Sequence, residues 1–190
     1  MEAWALKGMQ RWPNVPALFG WLGLDRRGRW LIRGEPITRP QIIETIGRNY
    51  AADGQGRWYF QNGPQRGYVT LDYAPLVLRA GDSGDGLIAH TGQSVSQVLR
   101  AFLDEDGALL LDTDLGPGLL LDKDLPWALE GMATVTGQTI DEALLAQALQ
   151  QPSGALSGLL LRLLSEPLEI IRLDAEAAPA FLGYDRLSKG

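Results

Sequence analysis

The sequence predicts an α+β protein dominated by antiparallel sheet. It reads as two related β-rich modules, one or two covering helices and a more helical C-terminal part. Three observations carry that prediction. Residues 53–76, DGQGRWYFQNGPQRGYVTLDYAPL, lie without a gap over 104–127, DEDGALLLDTDLGPGLLLDKDLPW, each residue meeting the one 51 positions later. Asp53 falls on Asp104, Gly56 on Gly107, Gly67 on Gly118 and Pro75 on Pro126. A D-x-x-G unit leading into an apolar segment recurs at 25–30 (DRRGRW), 53–58 (DGQGRW) and 104–109 (DEDGAL). In such a unit the carboxylate supplies a local acceptor and the glycine supplies the positive φ of a tight turn. Leucine triplets at 109–111, 119–121 and 159–161 suit elements buried on both sides.

The elements follow in chain order. Trp4, Trp12, Phe19 and Trp21 crowd the first 24 residues, while Pro13 and Pro16 forbid one continuous helix. A short helix near 2–11 and an extended segment through Leu24 are expected. Residues 25–28 read as a turn, 29–33 as a short strand and 34–36 as a second turn. Thr38 is the expected N-cap of a helix with Pro40 in its first turn and Ile42, Ile43, Ile46 and Tyr50 at helical spacing. Residues 56–62 and 68–73 form a predicted hairpin joined by a longer-than-minimal loop at 63–67. Residues 76–79 continue the sheet, 81–86 (GDSGDG) form a loop and 87–90 a strand. Residues 94–103 fit either a helix or a strand; the run into the Asp-Gly turn favours the strand. The second module then places strands near 107–113 and 118–123. Thr139-Ile140-Asp141-Glu142 has the form of a capping box ahead of an apolar stripe of Ile140, Leu144, Leu145 and Leu149. Residues 156–164 suit a helix or a buried strand, 168–173 a strand, and 175–182 a short terminal helix.

At 190 residues the chain makes one large domain or two small ones. The expected division is 1–80 and 81–190, with one compact unit as the other arrangement. With 45% hydrophobic and 21% charged residues the composition is that of an ordinary soluble protein. The chain holds no cysteine, which excludes disulfides, thiolate zinc sites and cysteine nucleophiles. The first residues lack the basic head and apolar run of a signal peptide. No apolar run reaches the roughly 18 residues that span a bilayer. A cytoplasmic location without membrane contact is expected. The net charge of −6 is uneven: residues 1–80 carry 11 Lys/Arg against 6 Asp/Glu, and 81–190 carry 6 against 17. Two halves of opposite sign attract each other across an internal or dimer interface, or offer an interaction surface.

No constellation reaches a catalytic signature. Asp112 and Asp114 sit in an acid-rich stretch with Asp104, Asp106, Asp122 and Asp124, and hard cations favour such oxygens. The calcium-loop template fails at Phe102 and Thr113, so turn chemistry is the simpler reading. His90 is the one histidine; Thr91, Ser94 and Ser96 lie nearby, yet there is no G-x-S-x-G elbow. The GDSGDG loop lacks the Lys-Ser/Thr of a phosphate loop and the order of a dinucleotide site. Arginine precedes tryptophan at 11–12, 29–30 and 57–58, but on a strand the two face opposite sides, and a pI near 4.8 opposes nucleic acid.

The segment 28–79 resembles proteobacterial proteins of unknown function. It carries W-x-x-x-G-x-P-I-x-R at 30–39 and V-x-x-D-x-A-P-x-V at 69–77. The later LLLDTDLGPGLLLDKDLPWAL resembles a companion segment of the same group, and the likeness covers roughly 25–130. It implies repeated α+β motifs and a suggested part in signal transduction, and it brings no catalytic residues. Leu125 stands where a histidine is often seen, which weakens the transfer of a site at that position.

The leading expectation is therefore a non-enzymatic binding or regulatory protein, without cofactor. A cleft between the modules, bordered by Arg66, Arg79 and His90, is expected to hold a small anionic ligand; a protein partner is the other candidate. The alternatives are a metal-dependent, hydrolase-like enzyme using Asp112 and Asp114, and a structural homodimer sealed by the N-terminal aromatics.

Overall fold

The computed structural model describes residues 16–81, 86–164 and 166–188. The expected helix near 2–11, Trp4, Trp12 and the centre of the GDSGDG loop lie outside them. The described chain is α+β, with two sheets of six and nine strands.

The six-stranded sheet is built from β1 (Ala17–Leu24), β2 (Trp30–Ile32), β3 (Glu35–Pro36), β4 (Tyr50–Ala52), β5 (Trp58–Asn62) and β6 (Gln65–Leu71), in the order β3-β2-β1-β6-β5-β4. The next six strands are β7 (Leu76–Ala80), β8 (Leu87–Ala89), β9 (Ser94–Val95), β10 (Val98–Leu103), β11 (Leu109–Thr113) and β12 (Gly116–Leu120). Their order, β9-β8-β7-β12-β11-β10, repeats the first. In each set the first strand pairs in parallel with the sixth, β1 with β6 and β7 with β12. The two modules are thus related strand for strand, and the 51-residue offset lays β5 on β11 from end to end. β7 lies within residues 1–80, yet it pairs with β12 and β8 in the second sheet.

The second sheet grows by three strands, β13 (Met132–Thr134), β14 (Leu156–Leu161) and β15 (Leu168–Arg172), with β15 parallel to β10. Helix α1 is Pro40–Arg48, α2 Leu125–Glu130, α3 Glu142–Leu149 and α4 Ala178–Leu182. After α4 the chain returns to the first module, where Asp185 N donates to Gly56 O and Leu71 N to Arg186 O.

Alternation on β10, β11 and β12 accounts for the leucine runs. Leu109 and Leu111 join the core cluster shared with the first sheet, while Leu110 joins a second cluster with Phe102, Leu119, Leu173 and Ala178. Successive strand residues face opposite sides, so only a strand covered on both faces carries an unbroken apolar run.

The turns explain the glycines. At 25–29, 53–57, 89–93, 104–108 and 134–138 the first residue's N–H donates to the fifth residue's carbonyl, and the fourth residue's N–H to the first carbonyl. The fourth residue is Gly28, Gly56, Gly92, Gly107 or Gly137, each with φ between 76° and 87°. This is the three-residue hairpin loop in which a type I turn ends on a left-handed glycine.

Several expectations are corrected. The connection between β5 and β6 is minimal: Asn62 pairs with Gln65 across Gly63-Pro64. Gly63, at φ 56°, supplies the positive first dihedral such a turn needs. Residues 34–36 are not only a turn, since β3 pairs with β2 across Arg33-Gly34. Thr38 does not cap α1; Arg39 precedes it without a side-chain cap, and Pro40 tolerates the missing donor. The cap of α3 is Asp141, whose carboxylate accepts from Leu144 N at 2.8 Å, not Thr139. The strand expected to reach 123 stops at Leu120; a 3₁₀ turn at Asp122–Asp124 leads into α2, an element unread in the sequence. The strand favoured for 94–103 is found at 94–95 and 98–103, and 156–161 resolve as strand β14. No helix among the described residues is long and apolar enough to cross a membrane.

Candidate functional site

The D-x-x-G turns set the local chemistry. Asp25 Oδ1 accepts from Arg27 N and Arg29 N, and its Oδ2 from Arg29 Nε at 2.7 Å. Asp53 repeats this with Gln55 N, Arg57 N and Arg57 Nε. Burial opposes the charge on Asp25, but the bonds from Arg29 and Arg27 outweigh it and hold the carboxyl below its ordinary range. In the third turn Asp104 Oδ1 accepts from Asp106 N and Ala108 N, and the Tyr73 hydroxyl donates to Oδ2 at 2.5 Å.

The first of these turns faces the second module. A cleft of about 840 Å³ runs between the 25–29 turn, with Leu31, Gly34 and Pro36, and residues 121–123 at the start of the 3₁₀ turn. Arg26, Arg27, Arg29 and Lys123 line it, as do Asp25, Asp72 and Asp122. Arg29 is committed to Asp25. Arg26 lies over the Tyr73 ring, 4.3 Å from its centroid. The side chains of Arg27 and Lys123 are exposed and meet no acid or carbonyl among the described residues. A second cleft of about 570 Å³ shares Asp25, Leu31, Gly34 and Asp72 with the first and reaches Trp21, Arg33 and Leu187.

None of these clefts is lined by Arg66, Arg79 or His90. Arg66 sits on β6 with its guanidinium over the Tyr59 ring, 4.4 Å from the centroid, and bonds Gln61. Arg79 is on β7, opposite Ile88 of β8, and donates to Ala80 O. His90 follows β8 in an aromatic box, its ring 5.0 Å from Trp30 and 5.9 Å from Tyr50. His90 Nδ1 accepts from Val77 N at 3.2 Å, which puts the proton of the neutral ring on Nε2. That nitrogen and Trp30 Nε1 are buried without a hydrogen-bond partner among the described residues. Burial pushes the His90 imidazole down to about 4. Each of the three residues thus has partners of its own, with His90 bonded to Val77, two residues before Arg79 on β7.

Asp112 and Asp114 do not share a strand face either. Asp112 ends in an ion pair with Arg100 at 2.8 Å. Asp114 lies in the turn after β11, where Ser96 N, Ser96 Oγ and Gln97 N donate to it. The bond from Ser96 Oγ leads in holding the Asp114 carboxyl below its ordinary range. No cluster of three or more metal-ligating side chains occurs among the described residues.

The cleft residues Arg26, Arg27 and Lys123 were not singled out in the sequence. A legible signal existed: the two middle positions of the first D-x-x-G turn are both arginine, against Gly-Gln and Glu-Asp in its counterparts. Lys123 could not be placed, because its partner surface comes from the other module.

A family model described as "Protein of unknown function (DUF2946)" matches residues 1–160. The fold is similar to the crystal structure of a DUF1285 family protein from Silicibacter pomeroyi DSS-3. That match has 17% identity over 86% of this chain and 85% of that one, with a TM-score of 0.53. A DUF1285 family protein from Shewanella baltica OS155 matches 55% of this chain and 87% of its own length, with 14% identity and a TM-score of 0.43. No curated protein matches the chain.

Proposed function

We propose, for a chain that belongs to this DUF2946 family of proteins of unknown function, that it is a binding protein of a regulatory or signalling kind and that it takes a small anion in the cleft between its modules. One observation carries this reading: Arg27 and Lys123, one from each side of the cleft, bring two cations to it without an acidic partner among the described residues. An anion placed between them gains charge-assisted hydrogen bonds from both. Arg26 adds a third positive group. Asp72 and Asp122 line the same cleft, so the surplus is modest and the ligand is selected by shape as well as by charge.

The arrangement favours binding over catalysis. The one histidine is held in an aromatic box with Nδ1 engaged, away from the cleft lining. The test is calorimetric titration of inorganic phosphate into the wild type and into Arg27→Ala/Lys123→Ala, both surface substitutions. Saturable binding in the wild type that is lost in the double variant supports the reading. Equal heats in the two proteins, or no binding, overturn it.

A further inference from the structure

We infer that the anion of this cleft is amphipathic, a charged head joined to an apolar or planar body. The inference rests on the binding reading above and names the class of ligand it takes. The two clefts share four lining residues, Asp25, Leu31, Gly34 and Asp72, and so form one groove from Lys123 to Leu187.

The ends of that groove differ in chemistry. At the first, Arg27 and Lys123 meet no acid among the described residues and can take an anionic head. At the second, the cations are spent. The Arg33 guanidinium lies 3.7 Å from the centroid of the Trp21 ring. Arg186 donates to the carbonyls of Leu71 and Asp72. What this end offers is Trp21, Leu31 and Leu187, and Leu187 is 57% exposed at its rim. The floor carries little side chain. Gly20 and Gly34 line it, and a methyl group added at either would meet nothing within 4 Å. Gly23 also lines it, and there an added methyl would make ordinary contacts at 3.6 Å with Leu31 and the Thr70 carbonyl. An apolar body lying on this floor removes Leu187 and Leu31 from water, a gain that an inorganic anion cannot provide.

The probes are inorganic phosphate, 1-naphthyl phosphate and 1-naphthol, titrated into the intact chain. The wild type is expected to bind naphthyl phosphate at least tenfold more tightly than phosphate, about 1.4 kcal/mol. Leu187→Ser and Gly23→Val should bring that ratio towards one while leaving phosphate affinity unchanged. Gly23 has no positive φ, so valine on β1 fills the apolar end without backbone strain. Phosphate and naphthyl phosphate binding equally would overturn the inference and leave the anion reading standing. A tenfold ratio that survives both variants would also overturn it, because the body would lie elsewhere. Naphthol binding as tightly as naphthyl phosphate, or no binding by any probe, would overturn both readings.

Discussion

The Tyr73 hydroxyl donates to Asp104 Oδ2 at 2.5 Å, in the place that a guanidinium fills in the related turns. Arg29 serves Asp25 and Arg57 serves Asp53, each from the fifth position of its own turn. At the fifth position of the Asp104 turn stands Ala108, which has nothing to give but its amide. Asp104 is also fully buried, where an unpaired carboxylate oxygen is costly. A tyrosine from 31 residues earlier closes the gap, and it ties the start of the second module to its hairpin. Burial first, and then the Asp104 carboxylate, push the Tyr73 phenol well above its usual range. Tyr73→Phe is expected to cost about 2 kcal/mol, the value of a hydrogen bond to a charged group. For a chain of this length that lowers the melting temperature by about 4–8 °C. A melting temperature unchanged in calorimetry would show that the carboxylate is satisfied by its two amides.

His90 gives stability a defined acid limb. Its folded pKa, about 4, lies below the ordinary 6.5 because burial disfavours the imidazolium. The unfolded chain therefore takes up a proton first as pH falls. The contribution is complete above pH 6.5 and is lost between there and about 4, for a total of about 3 kcal/mol. The rings packed on His90, Trp30 and Tyr50, carry no charge in this window. Denaturant melts across pH 4–7 measure the slope. In His90→Asn, whose amide oxygen can take over the bond from Val77 N, the slope should flatten.

The glycines at equivalent turn positions are not equally replaceable. Gly107 has φ 84° and open space around it. Gly107→Ala should cost about 1 kcal/mol, the penalty of a left-handed backbone alone. Gly56 has φ 76°, and an added methyl would lie 2.3 Å from the Gly183 carbonyl oxygen. Gly56→Ala should cost about 3 kcal/mol or more, since the returning C-terminal segment must move. Paired unfolding curves decide it: equal losses would mean that the segment after α4 does not hold its place against the turn.

The acids in the cleft lead to a gain-of-affinity prediction. Asp122 neighbours Lys123 and lines the cleft, and its carboxylate has no partner among the described residues. Asp122→Asn should raise phosphate affinity several-fold, and the effect should shrink as salt shortens the screening length. Affinity that stays flat or falls would mean that the anion does not sit near this carboxylate.

Much of the architecture was legible because it is local. The D-x-x-G units, the alternating or continuous apolar runs and the matched segments 53–76 and 104–127 are short-range patterns, and each acts through a turn or a strand face. They led to the α+β class, the hairpins and the inward tryptophans at 30 and 58. Where the reading failed, a neighbour in sequence was outvoted by a neighbour in space. Thr38 offers a cap that α1 does not use, and the strand expected through 123 gives way at Leu121 to the turn into α2.

The site belonged almost wholly to tertiary structure. Arg66, Arg79 and His90 are basic in sequence, but β6, β7 and the β8 turn carry them into different surroundings. Arg27 and Lys123 stand 96 positions apart and share a cleft only because two related sheets pack against one core. Most strands and the glycine turns between them were readable because dihedral preference and side-chain period act over a few neighbouring residues. Which charged groups meet was decided by sheet packing, because an unpaired charge is defined by what the rest of the chain fails to bring to it.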